Sequence, residues 1–334
     1  MNREGQPTAS HLGLLFPGQG SQHRGMGRRI AELSQAARDI FNRADEILGF
    51  RISRVCFEGT EQELEATENT QPAILTTSMA YLAYLRERAA QMGRRLRPNL
   101  VAGHSLGQFS AAVAADSLSF SDALKLVLER GRIMAEWAKS RPGGLATVLG
   151  LHEQVLSDIC ERESPEGDVG VAVINSPGHT VVAGELGKLH RVLEQARERG
   201  AKVIRLPISV PGHIPAMKDA ADLLARRMDE IRFRDPSEPI VSNISGRLLT
   251  TAEDVRQELG DQICNAVHWA RCMLEMMSRG VSDFIEVGPG QALSKISRRI
   301  SDEARVLTAE ETDAETLAAL ALPMEPTARA EAAR

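Results

Sequence analysis

Residues 99–116 read NLVAGHSLGQFSAAVAAD, and this stretch decides the fold. Leu100 to Ala102 are apolar and end at Gly103, which fits a buried strand. Small residues recur through 110–115 at helix-compatible spacing. Between them, Gly103-His104-Ser105-Leu106-Gly107 matches G-x-S-x-G, a strand–turn–helix in which the serine projects above a sheet edge. The glycines permit a sharp turn and close backbone packing. The first amides of the following helix point at the same place, so a developing oxyanion finds donors there. The bland alternative is a glycine-containing loop that only joins a strand to a helix, since five-residue matches occur by chance.

Working outward, LGLLF (12–16) reads as a buried strand that stops at Pro17 and leads into the turn PGQGSQ. Residues 28–48 have the apolar spacing of one helix, capped by Gly49. Further helices are expected from Pro72 to about Met92 and from Ser121 to about Ser140. From 143 to 208 the rhythm is β-α-β-β-α-β, the order of a ferredoxin-like unit. After it come helices near 215–231, 252–264, 268–279 and 291–300, with strands at 239–245 and 283–286. Strands alternating with helices argue a mostly parallel sheet. Residues 308–334, rich in Ala, Glu, Thr and Pro, read as a poorly ordered tail.

Composition excludes several functions. The chain has 334 residues with 43 % apolar side chains, enough for one large domain or two. Its 40 basic and 45 acidic side chains give −5, which argues against a nucleic-acid footprint. No run of about 18 apolar residues marks a membrane span, and MNREGQPTASHLG lacks a signal-peptide core. Cys56, Cys160, Cys264 and Cys272 are widely spaced with no CxxC, so they read as reduced thiols of a cytoplasmic protein, with no metal site.

A serine hydroxyl is a weak nucleophile and needs a base within hydrogen-bond reach. Of eight histidines, His213 lies in a turn-rich segment just after an expected strand, where catalytic groups favour sitting. His104 adjoins the serine, and its side chain is expected to point away from that of Ser105. An acid between Ser105 and His213 can complete a triad, and Asp116, Asp122, Asp158 and Asp168 are available.

The chain resembles the malonyl-CoA:acyl carrier protein transacylases, the acyltransferase family of fatty acid and polyketide synthesis. The resemblance runs from about 12 to 307 through PGQGSQ (17–22), NTQPAI (69–74), GHSLG (103–107), LERGRIM (128–134) and VINSPG (173–178). It continues through PGH (211–213), PIVSNI (239–244), QICNAVHW (262–269) and EVGPG (286–290). One such motif is weak; the whole set in the family's order is specific. The implied fold is α/β: an α/β-hydrolase-like body with a parallel sheet (1–140 and 207–307), interrupted by a ferredoxin-like insert (141–206).

By the resemblance, Ser105 is the acyl-carrying nucleophile and His213 its base. Gln19 and Leu106 supply backbone amides to the oxyanion hole. The Gln262 carbonyl holds the histidine tautomer, so no acidic third member is needed. Arg130 pairs with the substrate's free carboxylate, for which a planar guanidinium is suited. Asn175, Asn243, Gln108 and Gly212 are placed at the pocket. Two of these depart from the family: Gln108 stands where a glutamate is usual, and Gly212 where a serine or phenylalanine precedes the histidine. Both put strict malonyl selectivity in question, and the glycine is expected to open the pocket wall.

The implied partners are malonyl-CoA and an acyl carrier protein bearing a phosphopantetheine thiol, with no permanently bound cofactor, no nucleic acid and no membrane. The chain is expected to act as a monomer. Carrier proteins are acidic, so a basic patch belongs near the mouth. Lys295, Arg298 and Arg299 are spaced to share one helix face, and Arg94, Arg95 and Arg97 form a second cluster. Three readings stand: a malonyl (or unusual acyl) transferase, a hydrolase of acyl-carrier thioesters on the same fold, and a non-catalytic carrier-binding module.

Overall fold

The structure, a computed structural model, describes residues 11–323. Its strands are β1 (Leu12–Phe16), β2 (Arg94–Arg95), β3 (Leu100–Gly103), β4 (Gly143–Leu149), β5 (Val169–Ser176) and β6 (His179–Glu185). They continue as β7 (Lys202–Arg205), β8 (Ile240–Val241), β9 (Leu248–Leu249), β10 (Asp283–Glu286), β11 (Arg305–Thr308) and β12 (Leu322–Pro323). The main sheet runs β11-β10-β1-β3-β8-β9, parallel except for the β8–β9 pair. Every residue of β1 and β3 is buried, which is why both read as continuous apolar runs without alternation. The second sheet, β5-β6-β4-β7, is wholly antiparallel. The helices Glu153–Glu163 and Leu186–Glu198 pack on it around a separate core of Val148, Leu156, Ile159, Val182, Leu189 and Val192.

Several expected elements change on folding. The helix expected over 28–48 breaks at Ser34, whose extended backbone lets Oγ accept from the Ala37 amide (3.1 Å) and cap a second helix, Gln35–Leu48. The long central helix starts at Thr67, five residues before Pro72, because polar side chains stitch its first turn. Thr70 Oγ1 donates to the Leu64 and Ala66 carbonyls and Asn69 Nδ2 to the Glu63 carbonyl. The strand expected over 239–245 shrinks to β8, and the rest is a turn that carries Asn243.

The tail reading over 308–334 is corrected for 308–323. Thr308 closes β11 beside Glu286, and the helix Ala314–Ala319 buries Leu317 and Ala318. β12 pairs with β2. The composition hid this segment because few apolar side chains anchor it. Glu310 anchors it instead, accepting from the Gly290 amide (2.6 Å) and Tyr81 Oη (3.2 Å) and lying 3.1 Å from His23 Nε2. Residues 324–334 lie outside the described residues.

A serine elbow, a buried histidine and an unpaired arginine

The elbow forms where three backbone segments meet too closely for side chains. A Cβ on Gly103 would lie 1.9 Å from the Gly107 carbonyl carbon, and one on Gly107 would lie 2.0 Å from the Phe16 carbonyl oxygen. The turn after β1 packs against the same spot, since a Cβ on Gly18 would lie 2.4 Å from the His104 carbonyl oxygen. These contacts require glycine and hold Ser105 at φ 52°, a left-handed conformation that costs a non-glycine residue about 1–2 kcal/mol. His213 is also left-handed, at φ 69°. Strain at two facing residues makes this the candidate functional centre.

Ser105 Oγ lies 2.7 Å from His213 Nε2. His213 Nδ1 lies 2.8 Å from the Gln262 carbonyl oxygen. A carbonyl only accepts, so Nδ1 carries the proton and Nε2 is free to accept the serine hydroxyl. The four aspartates sit elsewhere. Asp122 sits in the first turn of the helix Phe120–Ser140, its carboxylate accepting from the N-cap Ser119 hydroxyl (2.7 Å), Asp158 takes Gln154, Asp168 takes Lys188, and Asp116 lies beyond the far end of the elbow helix. The arrangement is a dyad with a backbone orienter.

The amides of Gln19 and Leu106 donate no hydrogen bond to any described residue. Leu106 opens the helix Gly107–Ala114, so its amide is one of the free donors at a helix start.

Burial, and next the charge of Arg130, push the His213 imidazole down from its ordinary 6.5 to about 3. Burial pushes His104 down to about 4. Both are therefore held neutral. Between 6.5 and these values the unfolded chain binds protons that the folded chain refuses, so stability falls as pH drops below 6.5. Denaturant melts at pH 7 and pH 5 are expected to show this loss, and His213→Gln to lessen it. An unchanged slope in that variant would mean the imidazole is not held neutral.

Arg130 is 2 % exposed, and burial lowers its guanidinium to about 10, so it stays charged at neutral pH. One nitrogen donates to Gln71 Oε1 (2.9 Å), while Nε and Nη2 have no partner. The guanidinium carbon stands 5.9 Å from the centre of the Phe109 ring. A buried cation with two idle donors is costly unless an anion meets it. Gln71 was not singled out from the sequence, although it lies in the NTQPAI motif.

The remaining expected site residues divide. Asn243 is fully buried beside Ser105, accepting from its amide (2.8 Å), and Gln262 Nε2 donates to the Ser105 carbonyl (3.1 Å). Asn175 Oδ1 lies 3.1 Å from His104 Nε2, behind the elbow. Gln108 is buried. Its Oε1 accepts from the Gly103 amide (2.9 Å) and its Nε2 donates to the Val241 carbonyl (2.8 Å), so both ends are taken by backbone under the sheet. At Gly212 a Cβ would stand 3.2 Å from the Met134 methyl, the end of a flexible side chain.

Lys295, Arg298 and Arg299 are exposed and form no ion pair among the described residues, but they do not share the one helix face expected over 291–300, since the helix Ala292–Ser297 holds Lys295 and stops before Arg298 and Arg299. Arg299 Nη1 lies 3.5 Å from His179 Nδ1, and His179 Nε2 lies 3.4 Å from Asn175 Nδ2. The second cluster is already engaged, with Arg94 on the Ala319 and Ala321 carbonyls and Arg97 3.7 Å from Glu238. The four cysteines are free and buried. Among the described residues no helix is long and apolar enough to cross a membrane.

A family model described as "Acyl transferase domain" matches residues 14–325. The chain is 37 % identical over 310 residues to the malonyl CoA-acyl carrier protein transacylase of Bacillus subtilis (strain 168), covering 92 % of this chain and 95 % of that one. It superposes on the malonyl CoA-acyl carrier protein transacylase of Coxiella burnetii with TM-score 0.88 and 31 % identity, covering 96 % of this chain and all of that one. A malonyl-transacylase solved in complex with its type II PKS acyl-carrier protein matches with TM-score 0.85 and 32 % identity, over 92 % of this chain and 98 % of that one.

Proposed function

The chain belongs to the acyl transferase family, and from that premise we propose that it moves a malonyl group from coenzyme A to the phosphopantetheine thiol of an acyl carrier protein through an ester on Ser105. One observation carries the acyl choice: Arg130 is buried, charged and short of two acceptors. A malonyl group ends in a carboxylate, which a guanidinium holds through two parallel hydrogen bonds. An acetyl group would leave the charge unmet.

In the first half-reaction His213 Nε2 takes the Ser105 proton as Oγ attacks the thioester carbonyl. The Gln19 and Leu106 amides stabilise the oxyanion. Collapse breaks the carbon–sulfur bond, and His213 returns the proton to the departing thiol. In the second, the carrier's thiol gives its proton to His213 and attacks the ester carbonyl. Ser105 leaves and recovers the proton. We place the reaction in a cleft between the body (11–140 and 207–323) and the insert (141–206), with no resident cofactor. We place it in the cytoplasm.

The deciding experiment incubates the protein with labelled malonyl-CoA and acetyl-CoA and locates the label by intact mass. A malonyl adduct on Ser105 that passes to a holo carrier protein supports transfer. No adduct, with rapid release of free acid from acyl-carrier thioesters, would establish the hydrolase instead.

The carrier protein meets the patch of Lys295, Arg298 and Arg299. A chain of net −5 repels an acidic partner on average, so local cations must supply the attraction. Arg298→Glu with Arg299→Glu is expected to raise the carrier-protein KM by about tenfold while malonyl loading from CoA stays at the wild-type rate. An unchanged KM would remove the patch from the interface.

A further inference from the structure

We propose that Asn243, anchored by the buried carboxylate of Glu258, is the positioning residue that holds Ser105 in its left-handed conformation and so aims Oγ at His213. The inference rests on Ser105 being the nucleophile. A strained conformer persists only where its surroundings over-determine it. Asn243 does this by gripping the elbow on both sides of Ser105. Its Oδ1 accepts from the Ser105 amide (2.8 Å) and its Nδ2 donates to the Gly103 carbonyl (2.7 Å). Gln262 Nε2 completes the bracket, donating to the Ser105 carbonyl (3.1 Å) and to Asn243 Oδ1 (3.0 Å). Only an amide serves here, because one end must accept twice while the other donates. With the Ser105 amide engaged by Asn243, the Leu106 amide is the elbow's idle donor.

Asn243 is in turn fixed from behind. Its own amide donates to Glu258 Oε1 (2.6 Å), and Ser242 Oγ donates to Glu258 Oε2 (2.6 Å). Glu258 lies on the helix Ala252–Asp261, which runs straight into the turn Gln262–Cys264. That turn holds the base: the Gln262 carbonyl accepts from His213 Nδ1 (2.8 Å) and the Ile263 carbonyl from the His213 amide (2.7 Å). One helix thus references both partners, the nucleophile through Glu258 and Asn243 and the base through Gln262 and Ile263. Their separation is set by a single rigid element.

The test measures the rate constant for malonyl loading of Ser105 by rapid quench and intact mass, across malonyl-CoA concentrations. Asn243→Ala is expected to lower the saturating rate about 10²-fold and to leave the half-saturating concentration within about twofold, because misplacement by about 1 Å costs that much. Asn243→Asp is expected to lose as much, since its carboxylate faces the Gly103 carbonyl. Glu258→Gln keeps one acceptor and is expected to lose about threefold to tenfold. Val148→Ala, which opens a cavity in the separate core under the antiparallel sheet, supplies a destabilised control with wild-type loading. Loading by Asn243→Ala at the wild-type rate, or a loss matched by Val148→Ala at equal drop in Tm, would overturn the proposal. If Asn243→Ala does not fold, Glu258→Gln decides alone, and wild-type loading in it would overturn the proposal. If the wild-type chain takes no malonyl group, the functional reading fails separately. Phenylmethanesulfonyl fluoride labelling of Ser105 then still reads its alignment, and equal labelling rates in wild type and Asn243→Ala would count against positioning.

Discussion

Ser105→Ala is expected to take up no malonyl group, and His213→Ala to load it about 10⁴-fold more slowly than wild type. The two losses differ in kind. Without Oγ there is no atom to acylate, so intact mass shows no adduct at any time. Without the imidazole the hydroxyl remains, and the Gln19 and Leu106 amides still stabilise the oxyanion, so a slow adduct builds. The double variant is expected to be no worse than Ser105→Ala, because the pair acts as one unit. Loading of His213→Ala within tenfold of wild type would mean that another group removes the proton. His104 is the nearest other imidazole in sequence, but its Nε2 is directed to Asn175 Oδ1.

The second large effect belongs to Arg130. Arg130→Leu is expected to lower kcat/KM for malonyl-CoA by about 10²–10⁴-fold, the cost of burying a carboxylate with its partner removed. Acetyl-CoA gains relative to malonyl-CoA, because the apolar replacement no longer leaves a charge unmet. Two further readouts separate this role from general damage. The ligand-free variant is expected to melt higher than wild type, since it loses a buried cation with two unpaired nitrogens. Its His213 is expected to be more basic, since the Arg130 charge is one of the causes that depress the imidazole. By the same logic a bound malonyl carboxylate, by neutralising Arg130, makes the base stronger when the right acyl group is present. Arg130→Lys keeps the charge but not the planar fork, and is expected to fall between the two. Unaltered preference for malonyl-CoA in Arg130→Leu would exclude the pairing.

Much of this was legible before any coordinates. The strand, turn and helix around Ser105 follow from an apolar run, two glycines at fixed offsets and a run of small residues, all local signals. The ferredoxin-like order of the insert follows from strand and helix lengths, and the sheet order β5-β6-β4-β7 accords with it. The misreadings share a cause. The break at Ser34 depends on one side-chain cap and the start at Thr67 on polar side chains bonded to nearby carbonyls, which apolar periodicity does not register. The segment 308–323 looked like a tail because composition reports how many apolar residues there are. It does not report whether one glutamate finds an amide, a phenol and a histidine.

The site divides in the same way. Ser105 is announced by the residues beside it, because the elbow's glycines are part of its chemistry, while His213 is one histidine among eight by position and is singled out by the family resemblance. Arg130 is a different case, since its spacing from Ser105 equally allows a surface position on a helix. Gln108 and Gly212 stand at informative positions, both reading as departures that bear on acyl selectivity and the glycine as an opening in the pocket wall. Packing shows Gln108 bound to backbone at both ends and the Met134 methyl as the neighbour of Gly212. Glu258 carries no signal in the sequence at all. Backbone conformation and apolar burial are written locally, residue by residue, and so the α/β order and the elbow can be read along the chain, whereas the dyad comes with the family resemblance. Whether a buried polar group is satisfied depends on partners far apart in sequence, as Asn243 is from Gly103 and Arg130 from Gln71. Only folding brings those atoms within 3 Å and decides which charge stays unpaired and which serine is held taut.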